Sequence, residues 1–349
     1  MRLLLTLENN KEWSDYLQRI PASQRDIYYA PEYYSLYQNY GDGEACCFVF
    51  ERDGDIIMYP FLRNPIRTLG YQLDKEDYDI QGAYGYNGII SSNYDSDLIS
   101  AFWESFDTWC RENNVVAEFS RFHPLLNNQK LASPKMKTFY SRHTVALDLT
   151  DDDIWMHQIS SKNRNMIRKA EKEGVTIVES DDYETFRKLY NGTMSDLHAE
   201  DFYFFPPEYY NEYKKTFKNE SLLCLAQYDG KVIAGSMFMF SENYAHYHLS
   251  ARDREYSRYA ANNLILWYGI QKAKERGCKW LHFGGGTTGD DNDSLLKFKR
   301  DFSKTLGEFW IGKRVHNQEI YNSIIQQWEA NFLNSYAANK VKLLGYREI

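Results

Sequence analysis

LLCLAQYDGKVIAGSMFMF, residues 222–240, places two apolar runs on either side of Asp229 and Gly230. An Asp-Gly pair between two such runs is typical of a β-hairpin, because the turn residues must adopt left-handed backbone angles that these two residue types tolerate. Each run is long enough and apolar enough to form a buried strand. The segment therefore predicts two antiparallel strands joined by a tight turn.

The residues that follow the hairpin extend it into a mixed sheet. A third apolar run, YAHYHLS at 244–250, predicts another strand, and NNLILWYGIQKAKERG at 262–277 predicts a helix with Leu266 and Ile270 on its inner face. The strand CKWLHF at 278–283 follows directly. Because a helix joins this strand to the previous one, the unit combines a hairpin with a crossover, as in an α/β fold with a mixed sheet.

The first half of the chain repeats this order. CCFVF at 46–50 and DIIMYPFL at 55–62 flank the turn segment ERDG, residues 96–113 predict an amphipathic helix, and VVAEFS at 115–120 predicts a short buried strand. A repeated order of elements is typical of two lobes related by duplication.

The length of the chain agrees with two lobes, because 349 residues exceed the size at which a single hydrophobic core usually stops growing. No linker rich in proline, glycine or serine separates the halves. We predict an N-terminal lobe at residues 1–147 and a C-terminal lobe at 148–349, since VALDLT gives way to a run of aspartates at this point.

Composition excludes several classes of protein. No apolar run reaches the ~18 to 20 residues that cross a bilayer, and the opening MRLLLTLENN becomes polar too soon for a signal peptide, so we expect a cytoplasmic chain without an integral membrane segment. Five scattered cysteines argue against a disulfide framework or a cysteine-based zinc site. A formal net charge of -8 argues against a protein that coats nucleic acid with its whole surface.

Four segments occur in a recognisable order: SSKNRNMIRKAEKEGVTI at 160–177, YDGKVIAGSMF at 228–238, NNLILWYGIQKAKERGCKWLHFGGG at 262–286 and LLKFKRDF at 295–302. In this order they resemble the Fem family, which comprises the peptidoglycan-bridge aminoacyltransferases and their acyltransferase relatives within the general N-acetyltransferase (GNAT) superfamily. The resemblance implies an α/β fold of two tandem GNAT-like lobes. The sequence has no long heptad-patterned helix pair, so we expect no coiled-coil arm.

The resemblance also implies an acyltransferase. It would move an acyl or aminoacyl group from an activated donor, acyl-CoA or aminoacyl-tRNA, to an amine of a sugar- or peptide-linked acceptor in cell-wall or polysaccharide biosynthesis. The acceptor is expected to be a small molecule or a lipid- or nucleotide-linked group, with no tightly bound cofactor. A rival function of another class is a non-catalytic GNAT-fold protein that binds a glycan or nucleotide-sugar.

The sequence leaves the donor open. GNAT proteins carry a glycine-rich pyrophosphate loop before the main helix, and the corresponding segment here, ARDREYSRYAANN at 251–263, contains no glycine. The missing glycines favour charged tRNA as the donor. The acidic net charge favours a small thioester, because a tRNA partner calls for a broad basic surface.

The candidate catalytic residues are Lys299 and His248. Lys299 follows Phe298 where the family motif carries a lysine at the reacting centre, and a fixed ammonium there would stabilise the oxyanion that forms when an amine attacks an ester or thioester carbonyl. The alternative is a surface lysine. His246 and His248 share one face of a strand, where a neutral imidazole can accept the proton of the attacking amine. They could instead be hydrogen-bonded within the sheet or, with His282, bind a metal, although we predict no metal site.

A basic helix is predicted at residues 162–172, with Arg164 and Arg168 on its polar arc. Guanidinium groups offer paired donors to phosphate oxygens, so this face is a candidate site for a nucleotide-linked substrate, an acyl carrier or a tRNA acceptor stem. A solvated amphipathic helix would show the same pattern.

The remaining candidate substrate-binding residues are Phe298, Tyr247, Asn262, Glu200 and Asp201. Tyr247 lies between the two histidines of the predicted strand, and Asn262 is predicted to cap the helix that follows. Glu200 and Asp201 precede an aromatic, proline-containing segment that could form a lid, in which a carboxylate orients an amine. The alternative is a loop folded over its own apolar residues.

Overall fold

The structure is a computed structural model that describes residues 1–200 and 203–349. In chain order, its first elements are β1 (Arg2–Thr6), α1 (Asn10–Arg19), α2 (Pro31–Tyr40), β2 (Glu44–Arg52), β3 (Asp55–Pro65), β4 (Tyr78–Gln81), β5 (Ile90–Ser91), α3 (Ser96–Glu112), β6 (Val115–Arg121) and β7 (Lys137–Asp148). The next are α4 (Ile154–His157), α5 (Ser161–Lys172), β8 (Thr176–Ser180), α6 (Tyr183–Asp196), α7 (Pro207–Thr216), β9 (Ser221–Tyr228), β10 (Lys231–Phe240), β11 (Tyr244–Arg252), α8 (Ala261–Glu275), β12 (Trp280–Gly285), α9 (Ser294–Arg300), β13 (Leu306–Val315), α10 (Gln318–Asn331) and α11 (Leu333–Asn339).

The chain divides into two compact units. The first consists of Met1–Ser141 together with Glu308–Ile349, and the second is Arg142–Gly307. This division differs from the predicted lobes at 1–147 and 148–349, because the last part of the chain clusters with the N-terminal unit. Among the described residues, no helix combines the length and the apolar character needed to span a bilayer.

The C-terminal segment belongs to the core of the first unit. Trp328 of α10 and Tyr346 are fully buried and pack in one cluster with Ile66. The guanidinium Nε of Arg347 donates to the two carboxylate oxygens of Asp79, at 2.9 and 2.7 Å. Buried aromatic rings and an ion pair to the buried Asp79 thus attach this segment to the first unit, whereas the order of residues in the sequence grouped it with the C-terminal lobe.

The first unit contains a mixed sheet with the order β1-β2-β3-β4-β6-β13, and β5 pairs with β3. β4 and β6 run parallel, whereas β2 and β3 form the predicted antiparallel hairpin. Its turn residues Asp53 and Gly54 have φ angles of 54° and 90°, as a tight two-residue turn requires. The predicted helix at 96–113 is confirmed as α3, whose Phe102 and Phe106 pack against Phe48 of β2.

The second unit contains a mixed sheet with the order β7-β12-β11-β10-β9-β8. The hairpin predicted from residues 222–240 is confirmed as β9 and β10, with φ angles of 48° at Asp229 and 75° at Gly230. Helices α5 and α8 bury Ile167 and Ile265 in one cluster on this sheet. The mixed α/β class predicted from the sequence is therefore confirmed.

β11 and β12 are neighbouring strands in the sheet of the second unit. These parallel strands pair only from Tyr244 and Trp280 to His246 and His282, although β11 continues to Arg252 and β12 to Gly285. The paired residues of the two strands therefore end at His246 and His282. We call the part of the two strands just beyond this last pair, residues 247–248 of β11 and 283–285 of β12, the wedge.

Candidate functional site

Lys299 lies beside the wedge. It is carried by the short helix α9, and only 7% of its surface is exposed. The Nζ atom donates a hydrogen bond of 2.6 Å to the carbonyl oxygen of Gly285 and lies 6.0 Å from the centre of the Tyr247 ring. The interpretation of Lys299 as a surface lysine is therefore wrong, and its ammonium lies among residues of both strands.

The environment of Lys299 shifts the pKa of its side chain. Burial lowers the pKa of its ammonium from 10.5 to about 7, and the negative charge of Asp293 opposes this shift. The charged and neutral forms are therefore both populated near neutral pH. Such a group can donate a charge-assisted hydrogen bond and can also give up a proton.

Asp293, which the sequence reasoning missed, holds the loop next to Lys299. One carboxylate oxygen accepts hydrogen bonds of 2.9 Å from the backbone N–H groups of Leu295 and Leu296 and so caps α9. The other accepts the backbone N–H groups of Thr287 and Thr288 at 3.1 Å. Burial raises the pKa of this carboxyl, but the hydrogen bonds outweigh it and hold the pKa well below its usual range. Asp293 thus fixes the distance between α9 and the loop after β12.

The glycine run at the end of β12, Gly284 to Gly286, is required by the local backbone angles and by close packing. Gly284 has a φ angle of 78°, which side chains of L-residues rarely allow. A Cβ atom on Gly286 would lie 2.5 Å from the Asp293 carboxylate. The guanidinium Nη1 of Arg142 also donates to the Gly286 carbonyl oxygen at 3.0 Å. The loop is therefore fixed from several directions, and with it the Gly285 carbonyl that accepts from Lys299.

Phe298 and Tyr247 both pack against the hydrophobic cluster of the second unit. The half-buried Phe298 ring meets Phe302 edge-on at 5.6 Å, and the Tyr247 ring lies 5.7 Å from Phe238. Tyr247 donates its hydroxyl hydrogen to Ser250. Of the sequence-predicted residues, the structure thus brings Lys299 and Tyr247 together at the wedge.

His248 faces away from that pair. Side chains alternate along a strand, so His248 points to the face of β11 opposite to Tyr247. Its Nε2 atom lies 3.3 Å from the Tyr209 hydroxyl, and its ring stacks on Tyr213 at 5.8 Å. Burial, followed by the charge of His246, lowers the pKa of His248 to about 3. The imidazole is neutral near pH 7, but its contacts are with α7 rather than with Lys299.

The basic helix is confirmed as α5, but its two arginines differ. The Nη1 atom of Arg164 donates to the carbonyl oxygens of Trp155, Met156 and Ile159, at 3.0, 3.3 and 2.7 Å. It therefore holds the end of α4 and is not an exposed phosphate ligand. Arg168 is exposed, and its guanidinium carbon lies 5.4 Å from the centre of the Trp155 ring.

The other predicted substrate-binding residues have separate positions. The residue before α8 is Ala260, with a φ angle of 55°, so the prediction that Asn262 caps this helix is wrong. Asn262 is instead a half-buried residue of the first helical turn. Glu200 is exposed, and Asp201 lies outside the described residues. Phe205, in the segment that follows, is buried and stacks on Tyr209 at 4.3 Å, as expected of a loop packed over its own apolar residues.

Known proteins resemble this chain in part of its sequence and in its fold. Residues 160–300 match the family described as an acetyltransferase (GNAT) domain. No curated protein matches the sequence. Among solved structures, the fold is similar to that of FemX, with 16% identity, coverage of 92% of this chain and 99% of that chain, and a TM-score of 0.69.

Two further solved structures are also similar in fold. The C-terminal domain of a putative lysylphosphatidylglycerol synthetase from Agrobacterium fabrum has 14% identity over 94% of this chain and 96% of its own, with a TM-score of 0.53. L-PGS from Bacillus licheniformis has 14% identity over 90% of this chain and 94% of its own, with a TM-score of 0.55. At these identities the likenesses establish the fold. The domain match separately supports a GNAT acyltransferase, through residues 160–300.

Proposed function

We propose that this acyltransferase, whose residues 160–300 form a GNAT domain, moves an acyl or aminoacyl group from an activated donor to an amine of a sugar- or peptide-linked acceptor in the cytoplasm. The acceptor would belong to cell-wall or polysaccharide biosynthesis. The observation that carries this proposal is the buried ammonium of Lys299, fixed at 2.6 Å from the Gly285 carbonyl beside the wedge. A cation held in that position has a direct use in acyl transfer.

The transfer requires stabilisation of one negative oxygen. The amine of the acceptor attacks the carbonyl carbon of the donor, a C–N bond forms, and the carbonyl electrons move onto oxygen. The Lys299 ammonium donates a hydrogen bond to this oxyanion, which a buried and preorganised cation does without reorganisation. When the oxyanion collapses, the bond to the thiolate or ribose oxygen breaks and the amide is complete. No serine or cysteine intermediate is needed.

The proton of the attacking amine must also be removed. His248 is neutral, as a base must be, because burial lowers its pKa to about 3. The same low pKa makes it a weak base, and its ring lies against Tyr209 and Tyr213 on the other face of β11. The geometry therefore favours Lys299 over His248 at the reacting carbonyl, and the base role of His248 rests on the strand pattern alone.

The donor would approach along the helices beside this sheet. Arg168, Lys169 and Lys172 are exposed on α5. The Asn263 side chain of α8 donates to Asn163 of α5 at 2.6 Å, so the two helices are fixed side by side. An exposed row of cations is suited to the phosphates of acyl-CoA or of a tRNA acceptor stem. The GNAT domain match favours acyl-CoA, and the missing glycines at 251–263 favour charged tRNA.

The test compares Lys299→Met with Lys297→Met. Both lysines are on α9, but Lys297 is exposed, so the second variant is a matched control. With a panel of amine acceptors and either acetyl-CoA or charged tRNA, we expect Lys299→Met to lower kcat by about 100- to 1000-fold, as for loss of one oxyanion donor. Full activity of Lys299→Met would refute its role. Turnover with only one of the two donors identifies the donor.

A further inference from the structure

A basic and apolar patch lies on the first unit. Phe139 of β7 is 45% exposed, and Val341, between α11 and the C-terminus, is 77% exposed. Lys313 of β13 joins them, since its Nζ atom lies 5.7 Å from the centre of the Phe139 ring and donates to the Val341 carbonyl oxygen at 3.1 Å. The Lys313 ammonium therefore lies between the Phe139 ring and the main chain of the exposed Val341.

Further lysines surround these apolar residues. Lys137 is two residues before Phe139 on the same strand and so shares its face. Lys340 and Lys342 flank Val341 and are both exposed. Lys342 has an exposed acidic neighbour, Glu348, with 3.6 Å between the charged atoms. Exposed pairs of this kind contribute little binding energy, so the lysine remains available to another anion.

The patch is positively charged, whereas the chain as a whole has a negative net charge. The formal net charge of the protein is -8, yet four lysines, Lys137, Lys313, Lys340 and Lys342, cluster around two exposed apolar side chains. Apolar residues that insert below headgroups and lysines that meet anionic phosphates are the combination that holds peripheral proteins on membranes. The long lysine stems can lie along the apolar surface while their ammonium groups reach the phosphates.

We propose that this patch, defined as Lys137, Phe139, Lys313, Lys340, Val341 and Lys342, docks the protein on an anionic phospholipid surface. An RNA partner would also bind to the lysines, but it would make no favourable contact with the aliphatic side chain of Val341, which is 77% exposed. An anionic bilayer would bind both the lysines, through its phosphates, and the apolar side chains, below its headgroups. The protein then lies on the membrane without spanning it, and the inference does not depend on the transfer chemistry.

The experiment measures co-sedimentation of the full chain with vesicles. One set contains phosphatidylglycerol and phosphatidylcholine, and the other contains phosphatidylcholine alone. We expect binding to the anionic vesicles only, and weaker binding as salt is raised. The double variant Lys340→Gln/Lys342→Gln removes two charges and should weaken binding by about tenfold or more, since each basic residue near an anionic surface contributes on the order of 1 kcal/mol.

A second variant tests the apolar part. Phe139→Ser/Val341→Ser should also weaken binding, whereas Tyr94→Ser, which removes an aromatic ring 52% exposed elsewhere on the same unit, should not. All variants should keep the thermal unfolding midpoint and the acyl transfer to a soluble acceptor. Equal binding of patch variants and control, or no binding to anionic vesicles, would overturn the proposal. If the patch variants instead lose binding to tRNA, the patch is a nucleic-acid surface and the proposal is wrong.

Discussion

Replacement of Lys299 by methionine should make the protein more stable and less active. Burial lowers the pKa of the ammonium from 10.5 to about 7, and at about 1.4 kcal/mol per pH unit this difference corresponds to a cost of up to about 5 kcal/mol for the charged form in the folded state. Methionine has a similar length and no charge. It gives up the hydrogen bond to Gly285, which offsets about 1 to 2 kcal/mol of the gain.

The pH dependence gives this prediction its sign. Between pH 7 and 10.5 the unfolded wild-type chain keeps a proton on Lys299 that the folded protein has released, so the free energy of unfolding rises with pH. The full cost is therefore present below pH 7 and disappears near pH 10.5. We expect the free energy of unfolding of Lys299→Met to exceed that of the wild type by about 3 kcal/mol at pH 6. At pH 9.5 the two proteins should have almost the same free energy of unfolding.

Urea unfolding at pH 6, 8 and 9.5 measures the difference, and acyl transfer at the same pH values measures activity. Lys297→Met is the control, because this exposed lysine of α9 should show neither effect. A Lys299→Met protein that is less stable than the wild type at pH 6 would refute the reasoning. So would a gain in stability that is the same at every pH, since burial of charge would then not be its cause.

Three further changes test the surroundings of the site and the fold. Asp293→Asn removes the negative charge that raises the pKa of Lys299, so Lys299 should lose its proton at a lower pH. The fall of kcat at alkaline pH should then begin at a lower pH than in the wild type. A kcat profile that does not move would contradict this coupling. His248 has a pKa of about 3 in the folded protein, so the wild type loses stability as the pH falls below 6.5. His248→Gln lacks this loss. In urea titrations, its free energy of unfolding relative to that of the wild type should therefore be about 2 kcal/mol higher at pH 4.5 than at pH 7. Arg347→Ala leaves the fully buried Asp79 carboxylate without its cation, and urea unfolding should show a loss of about 3 kcal/mol, whereas a loss below about 1 kcal/mol would show that Tyr346 alone satisfies it.

The elements of the fold were predictable because their signals are local. The Asp-Gly turns at 53–54 and 229–230 and the apolar spacing of α3 and α8 each lie within a few residues. The placement of residues 308–349 was not predictable in this way. It depends on interactions such as the hydrogen bond from the Tyr346 hydroxyl to Asp79, which join residues far apart in the sequence.

The site was predictable only in part, for a related reason. Lys299 could be singled out from the motif around it, and its burial followed from the fold. The roles of Arg164 and Asp293 could not be assigned, because both depend on which carbonyl or N–H groups the fold brings near. A usable signal existed for Asp293, since an aspartate before the apolar run of α9 is typical of a helix cap. Its second set of bonds, to Thr287 and Thr288, has no such signal.

The pH dependence of activity separates two roles that the geometry allows for Lys299. With a pKa of about 7, the group is close to half ionised at neutral pH. If its ammonium stabilises the oxyanion, the fraction of active enzyme falls about tenfold for each pH unit above 7. If its neutral amine removes the proton of the acceptor, the rate rises over the same range. Lys299→Arg keeps a cation at every pH, so partial activity of that variant, without the alkaline limb, supports the oxyanion role and excludes the base.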